Sequence, residues 1–355
     1  MKNKILTKIL IIYTALIGIL GIIIKDKEIS KSERRKLKQY PALTINKVTD
    51  GSYFSELDTY LQDQMPARDA FRKLKGYTSK YIMQTKEENG VYEKNGYLFE
   101  INKESSNSLD HFVNKINEIS KNFKKNIYFV KIPDKEYYAE GILKKDYNLI
   151  DDKLANLDSK IKQIDITNDL SLDDYYKTDI HWKNNKINNV VQTIKDAMSI
   201  KTKASNYTEA KLSPFYGSLY GRTVSSVTPD ELAYITNDTI NNMKVYNYEK
   251  EKEDKVYNED YFHNIDGYDV FLGGATPVLK ITNNEVESKK LIVFRDSYGS
   301  SIIPFLAESY HEVIVIDLRY VKYDALQNLD VDLTKPDDVL FLYSINVINN
   351  SFSLK

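Results

Sequence analysis

Four short apolar runs set the architecture of this chain. Residues 127–132, 291–294, 313–316 and 339–342 are each four to six residues of mainly β-branched, aromatic and aliphatic side chains, and helix-length segments separate the last three. A strand with one wet face alternates apolar and polar residues, whereas a strand apolar at nearly every position is buried on both faces. The pattern predicts an α/β fold, a doubly wound parallel sheet with flanking helices. The helices carry their own signature. Leu109, Phe112, Val113, Ile116, Ile119 and Phe123 form one stripe; Leu154, Leu157 and Ile161 form another within 153–163; Ile187, Val190, Val191 and Ile194 form a third within 184–198. A further short strand is expected at 164–166. With 42% hydrophobic and 28% charged residues, the chain has the composition of a packed core.

The N-terminus predicts a compartment. Lys2, Lys4 and Lys8 precede sixteen apolar or near-apolar residues, 9–24, which as a helix reach about 24 Å. The basic excess before the run implies a cytoplasmic tail at 1–8, a transmembrane signal-anchor at 9–24 and residues 25–355 outside the cytoplasm. Cleavage as a signal peptide is the alternative, although the residues around Gly21 match a cleavage site poorly. A juxtamembrane helical segment is expected at 25–88. Phe54, Leu57, Tyr60 and Leu61 lie at helical spacing, and Pro66 starts a second helix carrying Phe71, Leu74 and Tyr77. The α/β domain is expected over 89–355. It opens with a hairpin in which Val91-Tyr92 and Tyr97-Leu98-Phe99 flank an Asn95-Gly96 turn. Residues about 203–288, rich in Thr, Tyr, Asn and Asp, are read as an irregular, partly β insertion.

Composition removes several function classes. Cys is 0 and His is 4, so there are no disulfides, no thiol nucleophile and no Cys-ligated metal, and no metal or cofactor is expected. Net charge is −1, which offers no broad footprint for nucleic acid.

Two segments can carry chemistry. In 175–184, Asp179 and His181 are two apart, so an extended backbone projects both to one side and the carboxylate can hold the imidazole. The same residues also suit a helix N-terminal turn with a packed His–Trp pair. In 291–300, an apolar strand runs into Arg295-Asp296-Ser297-Tyr298-Gly299 and then a helix. A Ser at the carboxyl end of a parallel strand is where such folds place ligands and nucleophiles, and the amides of Tyr298 and Gly299 can face a developing oxyanion. The alternative is a turn capped by Asp296 or Ser297. Together the segments supply Asp179, His181 and Ser297 as orienter, base and nucleophile. Asp296 is a second possible orienter, and Ser300 and Ser301 are weaker nucleophiles. Arg295, Tyr298, Gly299, Tyr175 and Tyr176 are candidate oxyanion or substrate contacts. Tyr numbers 28, and tyrosines stack on sugar rings as well as filling strands. Lys131 and Lys135, around Pro133, read as solvated lysines or as holders of an anionic group.

The segments YYKTDIHWKN and LIVFRDSYGSSIIPFL resemble the DHHW family, a branch of the SGNH-hydrolase-like proteins related to the alginate O-acetyltransferases. ERRKLKQYPAL, LQDQMPARDAF, GVYEKNGYLF, FVKIPDKE, YDVFLGGATPVLKI and VIVIDLRY extend the resemblance over residues 33 to about 345. Ile180 stands where the family name expects His, and Arg295 stands where relatives carry Gly before Asp-Ser. The resemblance implies an SGNH-like fold with Ser297 as acyl acceptor, His181 as base and Asp179 as its partner. It also implies a polysaccharide acceptor and a membrane-bound O-acyltransferase as acetyl donor. The function expected is extracytoplasmic O-acetyl transfer to an exported polysaccharide. An acetyl esterase using the same triad and a non-catalytic polysaccharide-binding scaffold are the alternatives.

Overall fold

The computed structural model describes residues 2–30, 32–82, 87–124, 126–201, 206–223 and 227–355. Its contacts divide into two compact units, Met1–Asn89 with Tyr220–Ser226, and Gly90–Leu219 with Val227–Lys355.

The first unit is helical. α1 (Lys2–Ile23) is a single helix of 22 residues. Among the described residues no helix is long and apolar enough to cross a membrane, so the transmembrane span expected at 9–24 is not found. Its apolar run of about 24 Å falls short of a hydrocarbon core of about 30 Å. α2 (Ser52–Asp63) and α3 (Arg68–Tyr77) fall on the two helical patterns with Pro66 between them. Polar contacts anchor this unit. Asp63 pairs with Arg35 and accepts from the Lys38 amide, while Glu33 pairs with Arg68 and Arg72.

The second unit holds one large sheet. Its strands are β1 (Ile127–Ile132), β2 (Ile161–Ile164), β3 (Lys244–Asn247), β4 (Lys252–Asp254), β5 (Val278–Thr282), β6 (Lys290–Arg295), β7 (Glu312–Ile316) and β8 (Asp338–Ser344). Their spatial order is β4–β3–β5–β7–β6–β8–β1–β2. Strands β7, β6, β8, β1 and β2 are mutually parallel, and β5, β3 and β4 extend the sheet antiparallel at one edge. The sheet is therefore mixed and mostly parallel. The difference from a wholly parallel sheet comes from the segment read as an insertion, which supplies β3, β4 and β5. A separate antiparallel pair, Thr208–Phe215 with Asp230–Thr236, accounts for more of it.

The continuous apolar strands are buried on both faces, as their composition requires. Leu291, Val293, Val313, Val315, Leu340 and Leu342 pack into one core, with Val190 and Ile194 of α6 (Asn188–Ala197) and Ile302 and Phe305 of α7 (Gly299–Ala307). The intervening residues Ile292, Phe294, Ile314, Ile316, Val339 and Phe341 pack into the other. There they meet Leu109, Phe112 and Ile116 of α4 (Ser106–Ser120) and Ile150 and Leu154 of α5 (Tyr147–Leu154). The hairpin forms as expected, Val91–Lys94 pairing with Tyr97–Glu100 across Asn95 and Gly96, both at positive φ.

Two boundaries differ from expectation. The helix predicted at 153–163 instead ends at Leu154, and Ile161–Ile164 is strand β2. Leu154, Leu157 and Ile161 do share a buried cluster, so their spacing recorded a common destination rather than one helix. Asp146 caps α5 by accepting from the Leu149 amide, which moves the helix toward the N-terminus. The strand expected at 164–166 accordingly ends at Ile164.

Candidate active site

Ser297 lies in the turn between β6 and α7, at the carboxyl edge of the parallel strands. Asp179 and His181 lie on the loop between β2 and α6. His181 Nε2 is 2.7 Å from Ser297 Oγ, and His181 Nδ1 is 2.5 Å from Asp179 Oδ1. The sequence-predicted trio is thus brought together in one hydrogen-bonded row, with Asp179 fully buried and His181 almost so.

Backbone donors hold Asp179 on both of its oxygens. Oδ1 also accepts from the His181 amide at 2.9 Å, and Oδ2 accepts from the Ser218 amide at 2.6 Å. The Ser218 contact requires Gly217 beside the loop: a Cβ on Gly217 would stand 2.3 Å from the Thr178 carbonyl oxygen and 2.4 Å from Asp179 Cβ. N–H groups aimed at both carboxylate oxygens fix its orientation, and the oxygen facing Nδ1 sets which imidazole nitrogen carries the proton. The loop is pinned again by Asp230, which accepts from the Lys177 and Thr178 amides and the Thr178 hydroxyl.

Aromatic rings set the imidazole plane. Tyr268 stacks on His181 at 3.9 Å between centroids and 9° between planes, and Tyr298 packs at 4.7 Å. Burial pushes both phenols well above their ordinary pKa, so both stay neutral donors. Tyr268 donates to Ser301 Oγ, and Tyr298 donates to the Ile180 carbonyl at 2.5 Å. Trp182 Nε1 also donates to Ser301 Oγ at 2.8 Å. Ser301 in turn donates to the Tyr298 carbonyl, so it is a structural junction rather than a nucleophile. Trp182→Phe removes one donor from this junction. It is expected to lower stability by about 1–2 kcal/mol in denaturant unfolding, and an unchanged midpoint would contradict the junction.

Of the remaining candidates, Tyr298 lines the cavity beside Ser297, and the others are engaged elsewhere. The amides of Tyr298 and Gly299, expected to face an oxyanion, both go to Asp296, the first to its side chain and the second to its carbonyl. Asp296 Oδ2 accepts from the Ser344 amide, so this carboxylate ties the ends of β6 and β8 and does not touch His181. Arg295 is fully buried and turned away from the nucleophile, donating to the Gly274 carbonyl and to Asp317. Gly299 serves packing, since a Cβ there would stand 2.7 Å from Arg295 Cβ. Tyr175 and Tyr176 are core residues: Tyr175 donates to the Pro133 carbonyl, and Tyr176 packs on Phe215. Lys135, read as solvated or anion-holding, is buried.

Ser297 opens onto a cavity of about 550 Å³ whose wall includes Glu100, Ile180, Arg319, Ser344 and Asn346. Asp317 holds Arg319 through Nε at 2.9 Å and Nη2 at 2.7 Å. Sequence reasoning missed Tyr268, Gly217, Ser218, Arg319 and Asn346. Only Gly217 left a sequence signal, as a glycine in a Thr- and Tyr-rich stretch. No group of His, Asp and Glu suited to a metal ion occurs among the described residues.

The DHHW protein family model matches residues 167–316. A DHHW family protein from Eubacterium siraeum has 21% identity and a TM-score of 0.60, over 75% of this chain and 94% of that one. Bacillus cereus PatB1 has 18% identity and a TM-score of 0.58, over 73% of this chain and 96% of that one. A second PatB1 structure, with a sulfonyl adduct, gives the same identity and TM-score. No curated protein matches. The fold is shared with these structures, and the stretch matched by the DHHW family model contains Asp179, His181 and Ser297.

Proposed function

We propose that this protein is an O-acetyltransferase that carries acetyl on Ser297 and passes it to a polysaccharide hydroxyl. The observation that carries the reading is the Asp179–His181–Ser297 row opening on a polar cavity. The DHHW family match and the PatB1-like fold support it. In the first step Ser297 Oγ attacks the acetyl carbonyl while His181 Nε2 takes its proton, and the leaving group departs with that proton. In the second, a sugar hydroxyl attacks acetyl-Ser297, gives its proton to His181, and Ser297 Oγ recovers it. Asp179 stabilises the imidazolium formed in both steps.

The two departures from the family pattern leave this row undisturbed. Ile180 contributes its backbone carbonyl to Tyr298, a contact independent of side-chain identity. Arg295 directs its side chain to Asp317 and Gly274. With the Tyr298 and Gly299 amides committed, we assign oxyanion contact to the Ser297 amide and to the Asn346 side chain, whose Oδ1 already accepts from Lys145. By the family resemblance, the donor proposed is a membrane-bound O-acyltransferase and the location extracytoplasmic.

The test uses a chromogenic acetyl ester with and without oligosaccharides, following acetyl on sugar and on Ser297 by mass spectrometry. Sugar acetylation that depends on Ser297 is the expected result. Acetate release with no transfer to any oligosaccharide offered would replace the reading with an esterase. Absence of acetyl-Ser297 and of turnover would leave a binding scaffold. PatB1 has been captured with a sulfonyl adduct. A sulfonyl fluoride is therefore a direct probe of Ser297 here, and Ser297→Ala is its control.

A further inference from the structure

β1 ends at Ile132, and Pro133 then leads into three consecutive charged residues that are all buried: Asp134 and Lys135 at 1% exposure and Glu136 at 4%. Charged side chains are rarely buried without a role that compensates their desolvation. Each of the three reaches a different wall of the site. Lys135 Nζ donates to the carbonyls of Tyr176 at 3.1 Å, Lys177 at 3.3 Å and Asp179 at 2.7 Å. All three ammonium protons are thereby spent on the loop that carries Asp179 and His181. Glu136 accepts from the amide of Glu100, a cavity residue, at 2.6 Å. Asp134 pairs with Lys145 at 2.5 Å, and Lys145 donates to Asn346 Oδ1 at 3.3 Å.

We propose that Lys135 is the positioning residue for the base: its ammonium fixes the Tyr176–Asp179 backbone and, through it, the Asp179–His181 pair. The inference rests on Ser297 being the acyl acceptor. An ammonium suits the task because it has three donors and a point charge, and the loop offers three convergent carbonyls. Glu136 accepts from the Glu100 amide on the cavity wall, and its carboxylate also faces the Lys135 ammonium.

The charge state of Lys135 makes the proposal readable. Burial pushes its pKa down to about 8, opposed by the carboxylates that face it: Glu136, Asp179, Asp230 and Glu100. Above that pH the amine keeps two donors for three carbonyls and no longer offsets the Asp179 charge. Glu136 is pushed up to about 7 by burial and by Asp134, so its own titration lies below that of Lys135.

The test follows kcat and KM for a chromogenic acetyl ester, and the rate of Ser297 sulfonylation by a sulfonyl fluoride, from pH 6 to 10. The full-length protein is compared with Lys135→Gln, Lys135→Arg and Glu136→Gln, each checked for cooperative unfolding. Wild type is expected to lose kcat and labelling rate as pH passes about 8. Lys135→Gln is expected to lower kcat on the order of 100-fold with KM within about threefold, and to abolish that alkaline decline. Lys135→Arg, with a charge that does not titrate in this range, is expected to recover part of the rate and keep it to pH 10. Glu136→Gln removes a carboxylate that faces Lys135 and is expected to shift the alkaline decline to lower pH. An alkaline decline that persists in folded Lys135→Gln or Lys135→Arg, or a Lys135→Gln kcat equal to wild type, overturns the proposal. Failure of wild type to label at Ser297 at any pH overturns the acyl-acceptor reading itself and this inference with it.

Discussion

Ser297→Ala is expected to lower acetyl transfer on the order of 10⁴-fold or more, and adding His181→Ala is expected to lower it no further. The reason is the contact between Ser297 Oγ and His181 Nε2 at 2.7 Å. A base with no hydroxyl to deprotonate contributes nothing, so the two losses do not add. Initial rates for the two single variants and the double variant check this, together with loss of the acetyl mark from the Ser297 peptide. If Ser297→Ala kept more than a tenth of wild-type transfer, the nucleophile would lie elsewhere.

Asp179→Asn is expected to cost on the order of 10³–10⁴ in kcat, with KM little changed. Three N–H groups point at this carboxylate: the His181 ring nitrogen, the His181 amide and the Ser218 amide. An amide offers one acceptor oxygen and points an NH₂ at the rest. If the oxygen faces His181, the NH₂ opposes the Ser218 amide. If the NH₂ faces His181, the imidazole must carry its proton on Nε2 and has no lone pair for Ser297. Because the site is buried, the mismatch is also expected to lower stability by about 1–3 kcal/mol. A kcat within tenfold of wild type in the folded variant would show that Asp179 does not orient the base.

The fold was legible where one physical cause dominates the residue choice. Strands such as 291–294 must be apolar because helices cover both faces, and the stripe of α4 must repeat at helical spacing because one side is dry. β4 was hidden in polar sequence because it is the edge strand, where burial does not dictate composition, and β3 beside it buries only alternate residues. The site's central trio was legible because the chemistry demands particular residue types at a strand end and on a nearby loop. Its supports were not. Ser218 acts through a backbone amide, which any residue supplies, from 39 positions away. Lys135 looks like a surface lysine until the fold closes over it. The Tyr298 and Gly299 amides looked available because the sequence does not show that Asp296 turns inward to take one and that its own carbonyl takes the other.

The order of strands has a consequence for how the protein matures. β1 and β2, which lie beside the loop bearing the base, have no sheet contact with β6 and β7 except through β8. β8 is built from residues 338–344, and every strand that it bridges precedes it in the chain, so the parallel sheet stays in two pieces until β8 is in place. Until then the loop bearing His181 and the strand bearing Ser297 are joined only by loop and helix contacts, such as Trp182 to Ser301. A chain clipped before residue 338 lacks the strand that bridges β6 to β1. Assembly is governed by contacts distant in sequence, which slows folding and leaves strand edges open to chaperones and proteases in the interval.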